Sequence, residues 1–421
     1  MAKTSDGVRV AYLTGHYPAV SHTFILREVE ALRSLGAKVR TYAIRRPSAD
    51  HLRGTAEQEA ARDTFYVLAT AKRIIPLLAA QALLFRQPRT YFATLLLALS
   101  MRAPGLRALI YQLIYFAEAT IIADDLRRHN VTHLHNHFAD VSANVAVLAA
   151  KLSDIPFSFT LHGPAELFAP ERWKIREKVR HARFVACISH FARSQAMYFS
   201  DPDDWPKLRI IHCGVTPEMY QHPKTPMPGK THLVYVGRLT AIKGVRVLLQ
   251  AFSEALKTNP DLHLTIVGDG DDRAKLETLS APDAEKVTFT GYLSQEDVAA
   301  TLATADAFVL PSFAEGLPVV LMEALAASIP VICTQVAGVS ELVEDGKSGF
   351  IVPPGDVDTL RDRILKLAAD PDLRANMGQT GQARVASEFD VRTEAARLLM
   401  LFEGDPAGSA RPTLPTETGD S

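Results

Sequence analysis

The chain has 421 residues, of which 47% are hydrophobic and 22% charged, and its formal net charge is −1. This length exceeds what one hydrophobic core organises, so two folded domains are expected. The near-neutral charge argues against nucleic acid as a partner. Cys187, Cys213 and Cys333 are scattered and show no metal or disulfide spacing, which indicates a reducing cytoplasmic compartment.

The first half of the chain has the rhythm of a parallel α/β domain. A strand is predicted at residues 8–15, and a helix follows at residues 24–36, where Gly36 ends it. Further strands are predicted at "VTHLHNHF", "FSFTLHG" and "RFVACIS", with helices between them. We therefore predict one Rossmann-like domain over residues 1–221.

Within this domain, residues 64–117 stand out because they contain no Asp or Glu. Their apolar stretches are interrupted by six cations: Lys72, Arg73, Arg86, Arg89, Arg102 and Arg107. No run of 18 apolar residues occurs, so we expect no membrane span. Basic residues flanking apolar helices favour a helical insert that lies on an anionic membrane surface. The alternative is a set of core helices whose arginine side chains reach water.

The second half repeats the strand and helix alternation. Three prolines and a glycine in residues 222–232 predict a linker, and residues 233–385 predict a second Rossmann-like domain. We expect a terminal helix at residues 386–402 to pack back on the first domain. The Pro-, Gly- and Ser-rich residues 403–421 predict a disordered tail. The fold class is α/β, with two doubly wound domains facing across a cleft, where ligands bind beyond the strand ends.

Two cations follow the first strand of the second domain. Arg238 comes directly after Gly237, and Lys243 lies in the loop that enters the next helix. Cations beside a helix N-terminus suit a diphosphate ligand. The alternative is a pair of solvated loop charges.

The next two strand ends carry weaker signals. "GDGDD" lacks the third glycine of a dinucleotide fingerprint, and it indicates only that the backbone at Gly268 and Gly270 approaches something closely. Tyr292 and Leu293 follow a further strand and are candidate contacts to a nucleotide base.

Two glutamates mark the last informative strand end. Glu315 lies in a loop, and Glu323 lies in a helix that is otherwise apolar from Pro318 onward. A buried carboxylate is costly unless it is hydrogen-bonded, so Glu323 suits either the two ribose hydroxyls or a neighbouring arginine. Backbone N–H groups at the start of this helix are left without helical partners and can bind sugar or phosphate oxygens.

Together these motifs resemble the family 4 retaining glycosyltransferases of the GT-B fold. The resemblance rests on "VGRL", Lys243-Gly244, Gly268-Asp269-Gly270 and the Glu-x7-Glu spacing of Glu315 and Glu323. It implies that Arg238 and Lys243 bind the donor diphosphate, Glu315 contacts the transferred sugar and Glu323 binds the ribose. It also implies that the backbone of residues 316–318 fixes the sugar hydroxyls. The implied donor-binding residues are Gly237, Gly268, Asp269, Gly270, Tyr292, Leu293, Gly316, Leu317, Pro318, Val319 and Glu323.

In the first domain, "HYPAVSHTFILREVEAL", "HNHFAD" and "TLHGPAELF" resemble the exopolysaccharide and colanic-acid type within that family. The resemblance implies that His162 faces the donor sugar across the cleft. His22 occupies a position that is usually glutamate, so the resemblance does not establish the acceptor contacts around residues 21–24. The acceptor-side candidates are Ser21, His22, His137 and Glu166. A metal bound by His133, His135 and His137 is the less favoured interpretation, because no Cys, Asp or Glu completes a ligand set.

The function implied is transfer of a hexose from a UDP- or GDP-sugar to a growing glycan on a polyprenyl-diphosphate carrier, with retention. No metal and no cofactor are expected. The enzyme would lie in the cytoplasm, on the inner face of the plasma membrane. Two other functions stay open at this stage: a nucleotide-sugar epimerase of similar fold, and a sugar-nucleotide-binding protein without catalysis.

Overall fold

The computed structural model describes residues 7–19, 22–48, 52 and 54–405. Ser21 and most of the predicted disordered tail, residues 406–421, lie outside the described residues. Two parallel sheets, one in each half of the chain, organise the rest. The predicted architecture of two doubly wound domains is confirmed.

The first sheet has seven strands in the order β3-β2-β1-β4-β5-β6-β7. Its strands are β1 (Arg9–His16), β2 (Lys38–Arg45), β3 (Phe65–Tyr66), β4 (His133–His137), β5 (Phe157–Leu161), β6 (Phe184–Cys187) and β7 (Leu208–Ile210). The helices of this half are α1 (Thr23–Ser34), α2 (Thr55–Asp63), α3 (Val67–Ala71), α4 (Ile74–Ala80), α5 (Leu83–Arg86), α6 (Pro88–Ser100), α7 (Leu106–Arg128), α8 (Val141–Ser153), α9 (Ile175–His181) and α10 (His190–Tyr198).

The second sheet has six strands in the order β10-β9-β8-β11-β12-β13. Its strands are β8 (Thr231–Val236), β9 (Leu262–Val267), β10 (Val287–Gly291), β11 (Ala307–Leu310), β12 (Val331–Thr334) and β13 (Gly349–Val352). The helices are α11 (Val245–Leu256), α12 (Arg273–Leu279), α13 (Gln295–Ala303), α14 (Val319–Ala326), α15 (Val339–Leu342), α16 (Val357–Ala369), α17 (Pro371–Glu388) and α18 (Val391–Glu403).

Both sheets reverse their strand order next to their first strand. β1 lies between β2 and β4, and β8 lies between β9 and β11. The central strands are buried because helices cover both faces of a parallel sheet, and they are largely apolar except for β4, whose buried residues include His133, His135, Asn136 and His137. In such sheets the crevice at the point of reversal is the usual ligand site. The ligand site is therefore expected at the carboxyl ends of β1, β4, β8 and β11.

The chain passes from the first domain to the second and later returns, and the two passages lie side by side. Val215, on the way out, donates to Phe389 O and accepts from Val391 N, on the way back. Gly214 allows this crossing, since a Cβ there would lie 2.5 Å from the backbone of Val391. Helix α18 then packs against α1, and Leu398 and Phe402 join the core of the first domain.

Helices α3–α7 form the insert predicted from the charge pattern. Helix α7 has the length and composition of a membrane span, which corrects the expectation that no segment qualifies. However, 44% of the apolar 18-residue stretch of this helix is buried inside the protein. Phe116, Ile122 and Leu126 belong to the first-domain core. Its C-terminal part is thus a core helix of the domain.

Candidate active site

The loops after β8 and β11 bring Lys243 and Glu315 together. Lys243 Nζ lies 2.6 Å from Glu315 Oε1, which also accepts from Ser312 Oγ at 2.6 Å. The two loops are tied by a hydrogen bond from Phe313 N to Ile242 O. Because β8 and β11 are neighbours in the sheet, the ion pair lies at the point where the strand order reverses. The predicted convergence of these residues is observed.

Arg238 lies beside this pair, directly after β8, and its side chain is exposed. Its backbone is fixed, because Tyr235 Oη donates to Arg238 O at 3.1 Å. Among the residues that the structure describes, Arg238 forms no ion pair. It therefore presents an uncompensated cation beside the strand ends.

The segment from Gly316 to Val319 leads into helix α14. Pro318 is the N-cap residue rather than part of the first turn as predicted. No hydrogen bond within the described chain uses the N–H groups of Gly316, Leu317 or Val319. Together with the helix dipole, these donors provide a site for phosphate or sugar oxygens.

The glycines after β9 lie very close to another loop of the protein. A Cβ at Gly268 would lie 1.9 Å from Gly237 O, and one at Gly270 would lie 2.4 Å from Leu239 O. Their small size lets two loops of the protein pack together. The predicted close approach of their backbone is thus observed, and their contact with the donor stays a prediction. Asp269 pairs with Arg273, and Tyr292 Oη donates to Asp269 O at 3.3 Å, while Leu293 is half-buried.

Glu323 is paired with an arginine from the other domain. Arg27 on α1 donates through Nη2 to Glu323 Oε1 at 2.8 Å, to Gln295 Oε1 at 2.8 Å and to Tyr220 Oη at 2.6 Å. Arg27 and Glu323 are only 5% and 7% exposed. The other nitrogens of Arg27, Nε and Nη1, are buried and have no partner among the described residues. The arginine alternative from the sequence is therefore what the structure shows.

His162 lies at the end of β5, where the two domains touch. A Cβ on Gly316 would lie 2.0 Å from His162 O, so only glycine allows this approach. The imidazole itself is buried in a chain of hydrogen bonds: Glu28 Oε1 lies 3.1 Å from His137 Nε2, and His137 Nδ1 lies 3.0 Å from His162 Nε2. Cys213 Sγ lies 3.6 Å from His162 Nδ1.

Glu28 sets the direction of the first hydrogen bond in this chain, because its carboxylate accepts from His137 Nε2. With a neutral His137 ring, His137 Nδ1 accepts from His162 Nε2–H. Burial and the neighbouring His137 hold the pKa of His162 well below its usual range, which keeps the ring neutral. The part of His162 that faces the second domain is its carbonyl.

Two of the acceptor-side candidates are buried in structural contacts. His137 is fully buried in the chain described above. Glu166 accepts from the backbone N–H groups of Ala139, His162 and Gly163, and burial raises its pKa to about 7. Both therefore organise the loops after β4 and β5, which corrects their predicted contact with the acceptor. His22, the N-cap of α1, is half-buried with its ring centroid 4.7 Å from that of Phe138.

The histidines of β4 are likewise held by hydrogen bonds within the protein. Glu28, His135 and His137 place possible ligand atoms within 4.8 Å of one another. However, His135 bonds Ser158 through Nδ1 and Thr160 through Nε2, both at under 3 Å. A metal would have to break this buried network, so the residues fit a hydrogen-bonded core better than a metal centre.

Comparisons with known proteins agree with this geometry. Residues 220–384 match the family described as glycosyl transferases group 1. The Bacillus subtilis protein named as a teichuronic acid biosynthesis glycosyltransferase, TuaC, is 30% identical over 281 residues, which cover 63% of this chain and 68% of TuaC. The chain belongs to the group 1 glycosyltransferases.

Two further likenesses extend over nearly the whole glycosyltransferase. The colanic acid biosynthesis protein WcaL of Salmonella typhimurium is 25% identical over 425 residues, covering 94% of this chain and all of WcaL. The crystal structure of Anabaena HepE in complex with UDP superposes with a TM-score of 0.69 at 17% identity, covering 94% of this chain and all of HepE. The family favours the transferase over the epimerase and the non-catalytic binding protein.

Sequence reasoning missed Glu28, which binds Tyr12 and His137 within the first domain, and it missed Arg27 and Glu341, which join the two domains of this glycosyltransferase. Glu28 had a readable signal, since it lies on the same face of α1 as the buried Ile25 and Leu32. Arg27 and Glu341 had none, because their partners lie 296 and about 150 positions away in the chain.

Proposed function

We propose that this glycosyltransferase moves a hexose from a UDP- or GDP-sugar to a growing glycan with retention, and without a metal ion. The observation that carries the proposal is the meeting of Lys243, Glu315 and the N–H groups of Gly316, Leu317 and Val319, which donate to no other described residue. They lie at the point where the second sheet reverses, against the carbonyl of His162. This is a place for a diphosphate with a sugar attached to it.

In this reaction the bond between the anomeric carbon and the leaving phosphate breaks, and a bond to the acceptor hydroxyl forms on the same face. The acceptor proton passes to the leaving phosphate. Arg238, Lys243 and the N-terminus of α14 would neutralise the charge that develops on that phosphate. Glu315 is held by Lys243 and Ser312, so it suits the role of orienting the sugar better than that of a nucleophile.

The test is turnover with a panel of UDP- and GDP-sugars, following release of nucleotide and sugar. Lys243→Met should lower turnover by about 100-fold or more, because it removes a charge aimed at the leaving group. Lys257→Met is the matched control, since Lys257 is exposed on α11 and pairs only with Glu254 among the described residues. Unchanged turnover in Lys243→Met would refute the role of Lys243. Conversion of the nucleotide sugar without nucleotide release would indicate an epimerase.

We also propose that the acceptor is lipid-linked and that the protein binds the cytoplasmic face of an anionic membrane. Helices α4–α7 expose several large apolar side chains: Ile75, Leu78, Phe85, Phe92, Leu96, Leu106 and Ile110. All six cations of the insert are exposed beside them, and none forms an ion pair within the described chain. Apolar side chains flanked by unpaired cations complement an anionic lipid surface.

A further inference from the structure

The N-terminus of helix α10, in the first domain, is capped by a carboxylate from the second domain. Glu341 Oε2 accepts from His190 N at 2.7 Å, and Glu341 Oε1 accepts from Phe191 N at 2.8 Å. Ser189 Oγ accepts from the next N–H, that of Ala192, at 3.0 Å. The first three N–H groups of α10 are therefore satisfied, two of them by the other domain.

Such a contact is favourable for two reasons. The first N–H groups of a helix have no partner within the helix, and the helix dipole places positive potential there. Hydrogen bonds to a charged acceptor are stronger than those between neutral groups. Opening the cleft would return both the carboxylate and the N–H groups to water, so the contact favours the closed arrangement.

Glu341 is rigidly connected to the proposed donor-sugar loop. Gly338 N donates to Gly316 O at 3.1 Å, and Arg384 Nη2 donates to Glu341 O at 3.0 Å. On the other side, a Cβ on Gly338 would lie 2.9 Å from Ser189 Cβ. The residues from Gly338 to Glu341 thus bridge the sugar loop and the start of α10.

We propose that Glu341 is a positioning residue that keeps the first domain closed over the donor sugar. It acts by fixing α10 and, through the neighbouring strand ends, the carbonyl of His162 against Gly316. This inference rests on the proposed transferase function, but the closure itself is measurable without any substrate.

The first experiment measures the distance between the domains in the empty protein. Spin labels on Ser194→Cys in α10 and Lys347→Cys after α15 would report it, because the three native cysteines are buried. Glu341→Gln replaces one accepting oxygen with an amide that faces backbone N–H groups. His190→Pro removes one donor at the first helical position, where proline is favoured, and Ser189 already has an extended backbone (φ −156°, ψ 162°).

Both variants should shift the label distances toward a longer, broader distribution. Glu254→Gln, an exposed carboxylate of α11, is the matched control and should leave the distribution unchanged. If Glu341→Gln and His190→Pro both give the wild-type distribution, the proposal is overturned.

The second experiment separates positioning from donor contact. We expect both variants to lower kcat by about tenfold, which corresponds to about 1.4 kcal/mol, and to change Kd for UDP or GDP less than twofold. Equal losses in kcat and in nucleotide affinity would make Glu341 a donor-binding residue and overturn the proposal. Absence of transfer by the wild type would refute the transferase function, whereas the label distances would still decide the role of Glu341.

Discussion

At the scale of single residues, the buried pair of Arg27 and Glu323 joins the two domains. Both side chains are buried, and removing one leaves the other without a counter-charge. If Glu323 also binds ribose, loss of Glu323 and loss of Arg27 must affect nucleotide affinity differently.

We predict that Glu323→Gln lowers the melting temperature and weakens nucleotide binding by about tenfold, because a hydrogen bond to a charged group contributes about 1.5–3 kcal/mol. Arg27→Met should lower the melting temperature as well, but leave nucleotide affinity unchanged or improve it, since it frees Glu323. Calorimetric titration with UDP and GDP measures the nucleotide affinity of both variants. Equal loss of affinity in the two variants would mean that Glu323 serves only the ion pair.

Glu118, on α7, gives a pH-dependent prediction. Burial raises its pKa to about 7, and the charge of Arg45 opposes the rise only partly. The unfolded chain therefore releases this proton near pH 4.5 and the folded protein only near 7, so the carboxyl group costs stability increasingly across that interval.

Glu118→Gln removes this cost. We expect the variant to match the wild type near pH 5 and to be more stable by about 1–3 kcal/mol near pH 8. Melting temperatures at the two pH values measure the difference, with Glu254→Gln as the exposed control. A gain of the same size at both pH values would show that ionisation of Glu118 is not its cause.

Which of these residues were predictable depends on what brings them together. The convergence of Lys243 and Glu315 follows from the order of parallel strands, because both residues follow strands that end at one edge of a sheet. Glu323 in an apolar helix indicated a buried partner. Arg27 as that partner was not predictable, since it depends on how two separately folded domains meet.

At the scale of elements, helices α4–α7 carry the membrane proposal. We predict that the wild type sediments with vesicles containing anionic lipid and that high salt weakens this binding. Ile75→Ser with Phe85→Ser should reduce binding strongly, because these side chains are 82% and 85% exposed and would enter the lipid surface.

Tyr198→Ser is the matched control, since Tyr198 is an equally exposed aromatic residue outside the insert. It should bind vesicles as the wild type does. A wild-type protein that stays in the supernatant with anionic vesicles at low salt would contradict the proposal.

The elements themselves were largely readable from the sequence. Helix α1 runs from Thr23 to Ser34 where residues 24–36 were predicted, because its apolar period and Gly36 mark it clearly. The division of the insert into five helices was not predicted. Its apolar residues occur nearly all around each short helix, so no period separates one helix from the next.

At the scale of the whole molecule, the two domains are held at both ends of the cleft. Arg27 joins them at Glu323 and Glu341 joins them at α10, with the carbonyl of His162 between the two contacts. The two sheets were predicted from local patterns. Their mutual placement was not, because it depends on these few long-range polar contacts.

The return of the chain to the first domain has a consequence for recombination between relatives. Helix α18 follows the second domain in sequence, yet Leu398 and Phe402 pack in the first-domain core, and Glu394 accepts from His212 N at 2.8 Å. A hybrid enzyme that exchanges everything after residue 221 would therefore inherit a foreign helix in the core of its first domain. Exchange between two junctions, one near residue 221 and one at Phe389, would keep α18 with its native partners and yield the better-folded hybrid.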